Sequence, residues 1–326
     1  MCQTFDGTLQ AERLMNLYTV FTMSTTYRTI LDDMKTSFKQ ATGSALSYFL
    51  ANLGMVIVVS ILALLIAIPI AIVAWVALAP ISEVTMIAMR DWALVNPLLL
   101  GGIGVLVLIP IISLILVVSG SIYGMSYDLV TTGETKAEAA FSYLKRKFLT
   151  FMGTGAILTI VILLPPALVW GLTSYAMGYT ITAAISTLLT IFTFVWVFIT
   201  YGLTSMVFPA VVSGKGVQAA FKESYSLATR YFDRIFGVLT AIVLLIAATF
   251  GPVIIAGLAL PAFSQPVIPM TFALFPALVG VMLWTVVSVF LWLFIFLPMV
   301  RITWVRVYQE LTGGTIALQT AVVPIV

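Results

Sequence analysis

The sequence predicts an all-α integral membrane protein with six transmembrane helices. We expect these helices to form three hairpins, each preceded by a cytoplasmic amphipathic helix in the membrane plane. Three observations support this prediction. Hydrophobic residues make up 62% of the 326 positions and charged residues only 8%, whereas soluble domains carry roughly 25% charged residues. Six apolar runs reach the ~20 residues that cross a bilayer as a helix. Polar segments with helical periodicity alternate with pairs of these runs.

Composition also limits the chemistry available to the chain. Cys2 is the single cysteine, so neither an internal disulfide nor a cysteine-based metal site can form within one chain. The sequence contains no histidine, the commonest metal ligand and general base near neutral pH. We therefore expect no catalytic residues, no cofactor and no metal site, and we interpret the protein as a non-enzyme. No basic surface interleaved with aromatic residues suggests nucleic acid.

The chain begins with a weakly patterned segment and then a predicted surface helix. Residues 1–24 show neither a basic region before a short apolar core nor a cleavage site, so we expect no removable signal peptide. From Thr26 to Gln40 the apolar residues recur at three- and four-residue spacing, which predicts a helix with one apolar face.

The predicted spans follow in pairs. They lie near residues 46–78, 98–122, 150–175, 180–208, 236–261 and 273–300. Prolines in or near these runs are expected to kink the helices; they are Pro69, Pro110, Pro165, Pro166, Pro252 and Pro298. Between the first two spans, Ile81–Asp91 is apolar enough to form a short helix on the outer surface, and Trp92 is typical of an interfacial anchor.

The basic residues predict the orientation. Of the 15 lysines and arginines, only Arg90 falls on the side of the connections 79–97, 176–179 and 262–272. By the positive-inside rule these connections face outward and both termini are cytoplasmic.

The surface helices and the segments before them repeat along the chain. An aromatic residue, five further residues and a glycine occur at Tyr127–Gly133, Phe208–Gly214 and Tyr308–Gly314. A glycine at the end of a membrane helix tolerates the left-handed conformation that turns the chain toward the surface. We infer one domain, 1–326, with repeat units at about 25–122, 133–208 and 214–300 and a truncated fourth surface helix at 315–326.

The segment Phe208–Leu245 resembles a known family unit. Pro209, the small-residue turn at Gly214, the pair Ala220 and Ser224, and the stretch Tyr231–Arg234 carry the resemblance. This segment is similar to the recurring unit of the glycerophosphodiester phosphodiesterase membrane-domain family and its uncharacterised bacterial and archaeal multi-pass relatives. The resemblance covers the second and third units well and the first unit weakly. It implies a six-span helical fold of unknown biochemical role in a prokaryotic plasma membrane. The soluble catalytic domain of some members is missing from these 326 residues, so we expect no phosphodiesterase activity.

Two groups of charged residues are candidate sites. The basic residues are expected either to bind anionic lipid headgroups, at about 1 kcal/mol each near the surface, or only to set topology. They are Lys145, Arg146, Lys147, Lys215, Lys222, Arg230 and Arg234. The acidic residues are expected to neutralise local positive charge rather than to serve as acid/base or metal groups. They are Asp128, Glu223, Asp233 and Glu310. Glu310 lies four residues after Arg306, so a weak surface pair between the two is expected.

The six predicted spans contain no ionisable residue, which counts against an ion-driven pump or antiporter. Hydroxyl groups at Ser60, Ser113, Thr190, Thr193 and Tyr201 could line a passive pathway or could serve helix packing. Close helix packing is also the expected role of small residues in spans; the candidates are Gly120 with Gly124, and Gly101, Gly102 and Gly104.

These patterns favour a non-enzymatic integral membrane scaffold or accessory subunit that organises lipid or a larger membrane complex. The alternative is a passive transporter or channel for a small or lipid-like solute, since internal repeats and broken spans are common in transport folds. An intramembrane enzyme is least favoured. The expected partners are membrane lipids with anionic headgroups, and a membrane protein or a second copy of the chain.

Overall fold

The computed structural model describes residues 27–78, 83–259 and 275–317, and in this part of the chain the protein is helical with no strand. In chain order the helices are α1 (Tyr27–Gly43), α2 (Ala45–Leu78), α3 (Glu83–Val95), α4 (Pro97–Thr132), α5 (Ala137–Ala176), α6 (Ala183–Thr204), α7 (Val207–Val212), α8 (Val217–Arg230), α9 (Phe232–Ala259), α10 (Phe275–Leu291) and α11 (Leu297–Thr312). A π-helical turn, Trp292–Phe296, joins α10 to α11.

Six helical stretches among the described residues are long and apolar enough to cross a membrane, which confirms the prediction of a multi-pass helical membrane protein. They are Ala45–Leu65, Gly104–Thr132, Ala137–Ala176, Ala183–Val212, Phe232–Ile255 and Val279–Thr312.

Burial is concentrated at one end of the bundle. Most buried residues of the described spans fall within 48–55, 113–130, 140–159, 200–212, 234–242 and 298–309. These stretches adjoin the basic connections 133–136 and 213–231, and we call this part of the molecule the basic end. In the opposite halves, side chains such as Leu64, Leu106 and Ile255 are exposed, as expected for surfaces in contact with lipid tails.

Helix α11 lies at the centre of the basic end. It packs against α1, α4 and α7, and every residue from Pro298 to Gln309 except Arg306 is buried. The π turn directly precedes Pro298. A proline ring inside a helix clashes with the carbonyl group four residues earlier, and the wider π turn at Phe294 accommodates it. The sixth span, predicted to end at 300, therefore continues as a core helix.

The helices α2, α4, α5 and α9 continue through their internal prolines. Within α5 the backbone leaves helical angles at Lys147 (φ −124°, ψ 18°) rather than at Pro165 or Pro166. The break divides α5 into a first part, 137–146, and a long apolar part. The predicted second surface segment is thus continuous with the third span.

Several predicted elements fall at the edges of the described residues. The short outward helix is present as α3, and Trp92 in it is exposed. The outward connection 262–272 and the segment 1–24 lie outside the described residues. So does most of the predicted fourth surface helix: residues 315–317 are not helical, and 318–326 lie outside.

Glycines end three helical segments in left-handed conformations. Gly133 has φ 84° and Gly214 has φ 112°, which confirms the expectation for the first two repeated segments. In the third segment the left-handed residue is Gly313, with φ 69°, one position before the predicted Gly314.

The predicted packing role is correct for one glycine pair and wrong for the other set. A Cβ atom at Gly120 would lie 2.6 Å from the ring of Phe151, and one at Gly124 would lie 2.2 Å from the ring of Tyr143. These glycines let α4 and α5 approach closely. A Cβ atom at Gly101, Gly102 or Gly104 would meet no atom within 4 Å, because the helices are not in tight contact in this half of the bundle, opposite the basic end.

We predict opposite effects for two equivalent substitutions in α4. Gly124→Ala should lower the free energy of unfolding by about 1 to 3 kcal/mol, the usual cost of overpacking, because the Tyr143 ring is held by a hydrogen bond from its hydroxyl to Asp128 (2.9 Å). Gly102→Ala adds the same methyl group in open space and should be neutral or stabilising by up to about 1 kcal/mol from helix propensity. Thermal unfolding of both variants in detergent measures the difference. Equal midpoints would contradict the tight α4–α5 contact.

Candidate functional site

Five of the seven basic residues with predicted lipid contacts are exposed at the basic end, and four of these five form no ion pair with a described residue. Lys145, Arg146, Lys222 and Arg230 have exposed side chains, and none forms an ion pair with another described residue. The guanidinium groups of Arg146 and Arg230 lie 5.0 and 5.4 Å from the ring centroids of their neighbouring tyrosines, which orients both arginines without neutralising them.

Lys147 and Lys215 have protein partners. The Lys147 ammonium group donates to the carbonyl oxygens of Val211 (2.5 Å) and Val212 (3.0 Å), which satisfies carbonyl groups at the end of α7. Lys215 forms an ion pair with Glu223, and the hydrogen bond to that carboxylate raises the pKa of Lys215.

Arg234 is buried in an ion-pair network that joins α1, α9 and α11. Its guanidinium contacts Asp33, and it donates to Glu310 at 2.7 Å. Arg306 lies 3.2 Å from Glu310 and 3.6 Å from Asp33. The i,i+4 pairing of Arg306 with Glu310 was predicted and is confirmed. Arg234 holds helices together and presents little surface to a headgroup.

The network places Asp33 in an unusual electrostatic environment. Burial and the neighbouring Glu310 carboxylate raise the pKa of Asp33 to about 6, against the lowering effect of Arg234 and Arg306. Near neutral pH the positive and negative charges of the network are equal in number, with two carboxylates opposite two guanidinium groups.

The remaining acidic candidates have local partners or none. Asp128 accepts a hydrogen bond from Tyr143, and Glu223 interacts with Lys215 and with the Tyr308 hydroxyl at 3.4 Å. Asp233 is exposed. Within the described ranges, no three potential metal-binding side chains come together.

Arg301 forms a second charged centre that sequence reasoning did not single out. It directly follows the predicted sixth span and counts there among the basic residues that set the topology, and the structure buries it in α11, with only 7% of the residue exposed. Its Nη1 atom donates to Asn52 Oδ1 at 3.2 Å, and its electrostatic neighbours are the phenol groups of Tyr48, Tyr123 and Tyr201. Among the residues that the structure describes, no carboxylate pairs with Arg301.

A cavity of about 220 Å³ lies next to this centre, between α4, α5 and the end of α6. Tyr123 and Tyr201 both line the cavity and adjoin Arg301. The other wall residues are Ile112, Leu116, Ser119, Leu158, Thr159, Ile162, Leu163, Thr204, Ser205 and Phe208. Hydroxyl and apolar side chains therefore share its surface.

Of the predicted pathway hydroxyls, Tyr201 alone lines this cavity. Ser113 donates to the Ile109 carbonyl at 2.6 Å, and Thr193 accepts from the Trp170 indole at 3.0 Å. Thr190 bonds within its own helix, and Ser60 is exposed. These hydroxyls serve helix packing or are dispersed rather than forming one continuous polar path.

A larger cavity of about 690 Å³ lies between α4 and α5 in the half of the bundle opposite the basic end. Its wall is almost entirely apolar and includes Gly101, Gly102, Leu106 and Leu168. The glycines that make no helix contact thus border open space of the kind that a hydrocarbon chain occupies.

Comparisons with family models, with curated proteins and with solved structures give no match. The family resemblance of the segment Phe208–Leu245 stays a prediction.

We predict that the ion-pair network stabilises the basic end. Arg234→Gln leaves the buried Asp33 carboxylate short of its main partner, and loss of one member of a buried pair costs about 3 kcal/mol or more. Lys222→Gln removes an exposed charge and should change the free energy of unfolding by no more than about 0.5 kcal/mol. Denaturant unfolding of both variants in the same detergent provides the measurement. A decrease of less than about 1 kcal/mol in the free energy of unfolding of Arg234→Gln would contradict the predicted stabilisation by the network.

Proposed function

We propose that the protein is a non-enzymatic membrane scaffold or accessory subunit that organises anionic lipid, or a larger complex, around its basic end. The observation that carries this proposal is the set of four exposed basic side chains without ion pairs, Lys145, Arg146, Lys222 and Arg230. Each basic residue near a membrane surface contributes about 1 kcal/mol to the attraction of anionic lipid.

The proposal includes the topology. We place the basic end on the cytoplasmic side of the plasma membrane, with both termini cytoplasmic, because the basic residues cluster there. In this arrangement the chain forms three hairpins, each entered through a helix that lies along the membrane surface.

Helix α8 supports such a surface position. Its buried residues Ala220, Ser224, Leu227 and Ala228 fall at three- and four-residue spacing, while Lys222 lies on the exposed side. The Ser224 hydroxyl donates to the Leu203 carbonyl oxygen at 2.7 Å and accepts from the Met206 amide at 3.2 Å. These bonds fix α8 against the end of the preceding span and direct its basic residues away from the core.

The proposed threefold repeat also has structural support. When Tyr27, Ala137 and Val217 are aligned as the first apolar residues of the three surface segments, Ile30, Ala140 and Ala220 occupy the same position, and these three are buried. A common buried position is expected when each segment docks on the bundle in the same way.

We expect the exposed basic residues to recruit anionic lipid. The fourfold variant Lys145→Gln, Arg146→Gln, Lys222→Gln and Arg230→Gln should lose affinity for anionic lipid by up to about fivefold per residue, as about 1 kcal/mol implies. The measurement is the ratio of anionic to zwitterionic phospholipid retained by the protein after gentle extraction from mixed vesicles, determined by mass spectrometry at two salt concentrations.

The matched control exchanges lysine and arginine at the same four positions and keeps the charge, so its lipid ratio should equal that of the wild type. If the fourfold glutamine variant retains the wild-type ratio, the basic residues only set topology and the proposal fails.

A second candidate function is passive movement of a lipid-like solute. The cavity between α4, α5 and α6 favours it, because that cavity combines hydroxyl groups with apolar walls. A flux assay with reconstituted vesicles, across a panel of lipids and small solutes, tests this candidate; flux equal to that of empty vesicles would exclude it for the panel.

A further inference from the structure

We propose that Arg301, together with Tyr123 and Tyr201, binds an oxyanion, a phosphate or carboxylate group, that enters through the cavity between α4, α5 and α6. This inference depends on the buried residues around Arg301. It does not depend on the four exposed basic residues of the proposed function.

The charge of Arg301 is the first argument. A guanidinium group carries five N–H donors and stays charged in proteins. Arg301 uses one donor in a 3.2 Å bond to the neutral amide oxygen of Asn52, and it has no carboxylate partner among the described residues. Burial of an unpaired charge is costly, and buried charges are normally paired. An anion supplied from outside the described chain would pair this one.

The groups around Arg301 are also hydrogen-bond donors. Trp304 lies three residues further along α11 and is fully buried, and an indole N–H can only donate. The ring of Tyr201 meets the Trp304 ring edge-on, with centroids 6.5 Å apart, and the Tyr201 hydroxyl is the acceptor beside this indole. The N–H groups of Arg301 that do not bond Asn52 have no carboxylate acceptor among the described residues. The complementary ligand is therefore an acceptor.

The cavity lies beside this centre. Tyr123 and Tyr201 line the cavity, interact with each other and are electrostatic neighbours of Arg301. The hydroxyl groups of Thr159, Thr204 and Ser205 are occupied by backbone carbonyl oxygens. The hydroxyls of Ser119, Tyr123 and Tyr201 are therefore the wall donors that can turn toward an anion, and the two tyrosines are the ones beside Arg301.

The size and remaining lining of the cavity indicate the ligand class. A volume of about 220 Å³ is more than ten times the minimum that holds one water molecule. Apolar side chains such as Leu116 and Ile162 form much of its wall, and Leu163 is exposed at its edge. An oxyanion attached to an apolar tail would place its charge against the tyrosines and its tail along these side chains. A free inorganic ion would use the polar part alone.

The test uses the full chain in nanodiscs of zwitterionic lipid with three probes: dodecyl phosphate, inorganic phosphate and dodecanol. Native mass spectrometry measures bound ligand, and thermal unfolding measures stabilisation. We expect one dodecyl phosphate per chain, a raised unfolding midpoint, and no such effect from dodecanol, which has the tail without the charge. Binding of inorganic phosphate with similar affinity would support the oxyanion site and identify a free ion as its ligand.

Substitutions locate the site. Arg301→Gln should abolish binding of dodecyl phosphate. Because that variant also changes the core, the double variant Tyr123→Phe and Tyr201→Phe provides a milder test and should weaken binding at least about tenfold, as expected for hydrogen bonds to a charged group. The fourfold glutamine variant of the exposed basic residues should bind as the wild type does, which separates this site from the surface proposal.

Two results would overturn the inference. One is equal stabilisation by dodecyl phosphate and dodecanol, since the charge would then be irrelevant. The other is wild-type affinity for dodecyl phosphate in the folded double tyrosine variant.

Discussion

Burial of α11 on nearly all sides is the constraint on which the rest of the structure depends. A helix in this position exposes few polar groups to water, so its polar side chains need partners from the protein or from a ligand. Arg306 and Glu310 find theirs in Asp33 and Arg234, and these contacts bring α1 and the start of α9 against α11. Tyr308 meets the Ser213 hydroxyl at 3.1 Å, which brings in the end of α7. The organisation of the basic end follows from the polar residues of one helix.

The two ends of the bundle differ in how tightly their side chains pack. At the basic end the side chains interdigitate, as Gly120 and Gly124 show by admitting the rings of Phe151 and Tyr143. In the half opposite the basic end the helices separate and expose apolar side chains, which costs little in a bilayer because lipid tails are as apolar as the side chains themselves. Binding chemistry is therefore expected at the basic end and along its boundary with the lipid-facing half. The centre at Arg301 lies in the buried part of the basic end.

Local patterns in the sequence predicted the features that depend on local physics. Length and apolar content identified six spans, helical spacing identified the Arg306 and Glu310 pair, and glycine spacing identified the approach of α4 to α5. The exceptions are informative. Gly101 and its neighbours have the same composition as a packing motif but occupy the half of α4 that has no close neighbour, and no local pattern distinguishes the two halves.

A single sequence does not predict which residues pair when they lie far apart along the chain. Asp33 and Arg234 are 201 positions apart, so no helical spacing relates them. Arg301 follows an apolar run and has the appearance of a flanking topological charge, because a sequence does not show that the helix continues into a core. The apolar residues that follow Arg301 could have suggested that it is buried. Such a run is unusual for a solvent-exposed tail; it contains Ile302, Trp304, Val305 and Val307.

The account depends most directly on the burial of α11, and cysteine accessibility in native membranes measures it. In a Cys2→Ser background, Val305→Cys should react with a membrane-permeant maleimide only after the protein is unfolded, because Val305 is fully buried. Thr312→Cys, at the exposed end of the same helix, should react at once. If Val305→Cys reacts as fast as Thr312→Cys in folded protein, α11 is a surface segment and the core described for the basic end is wrong.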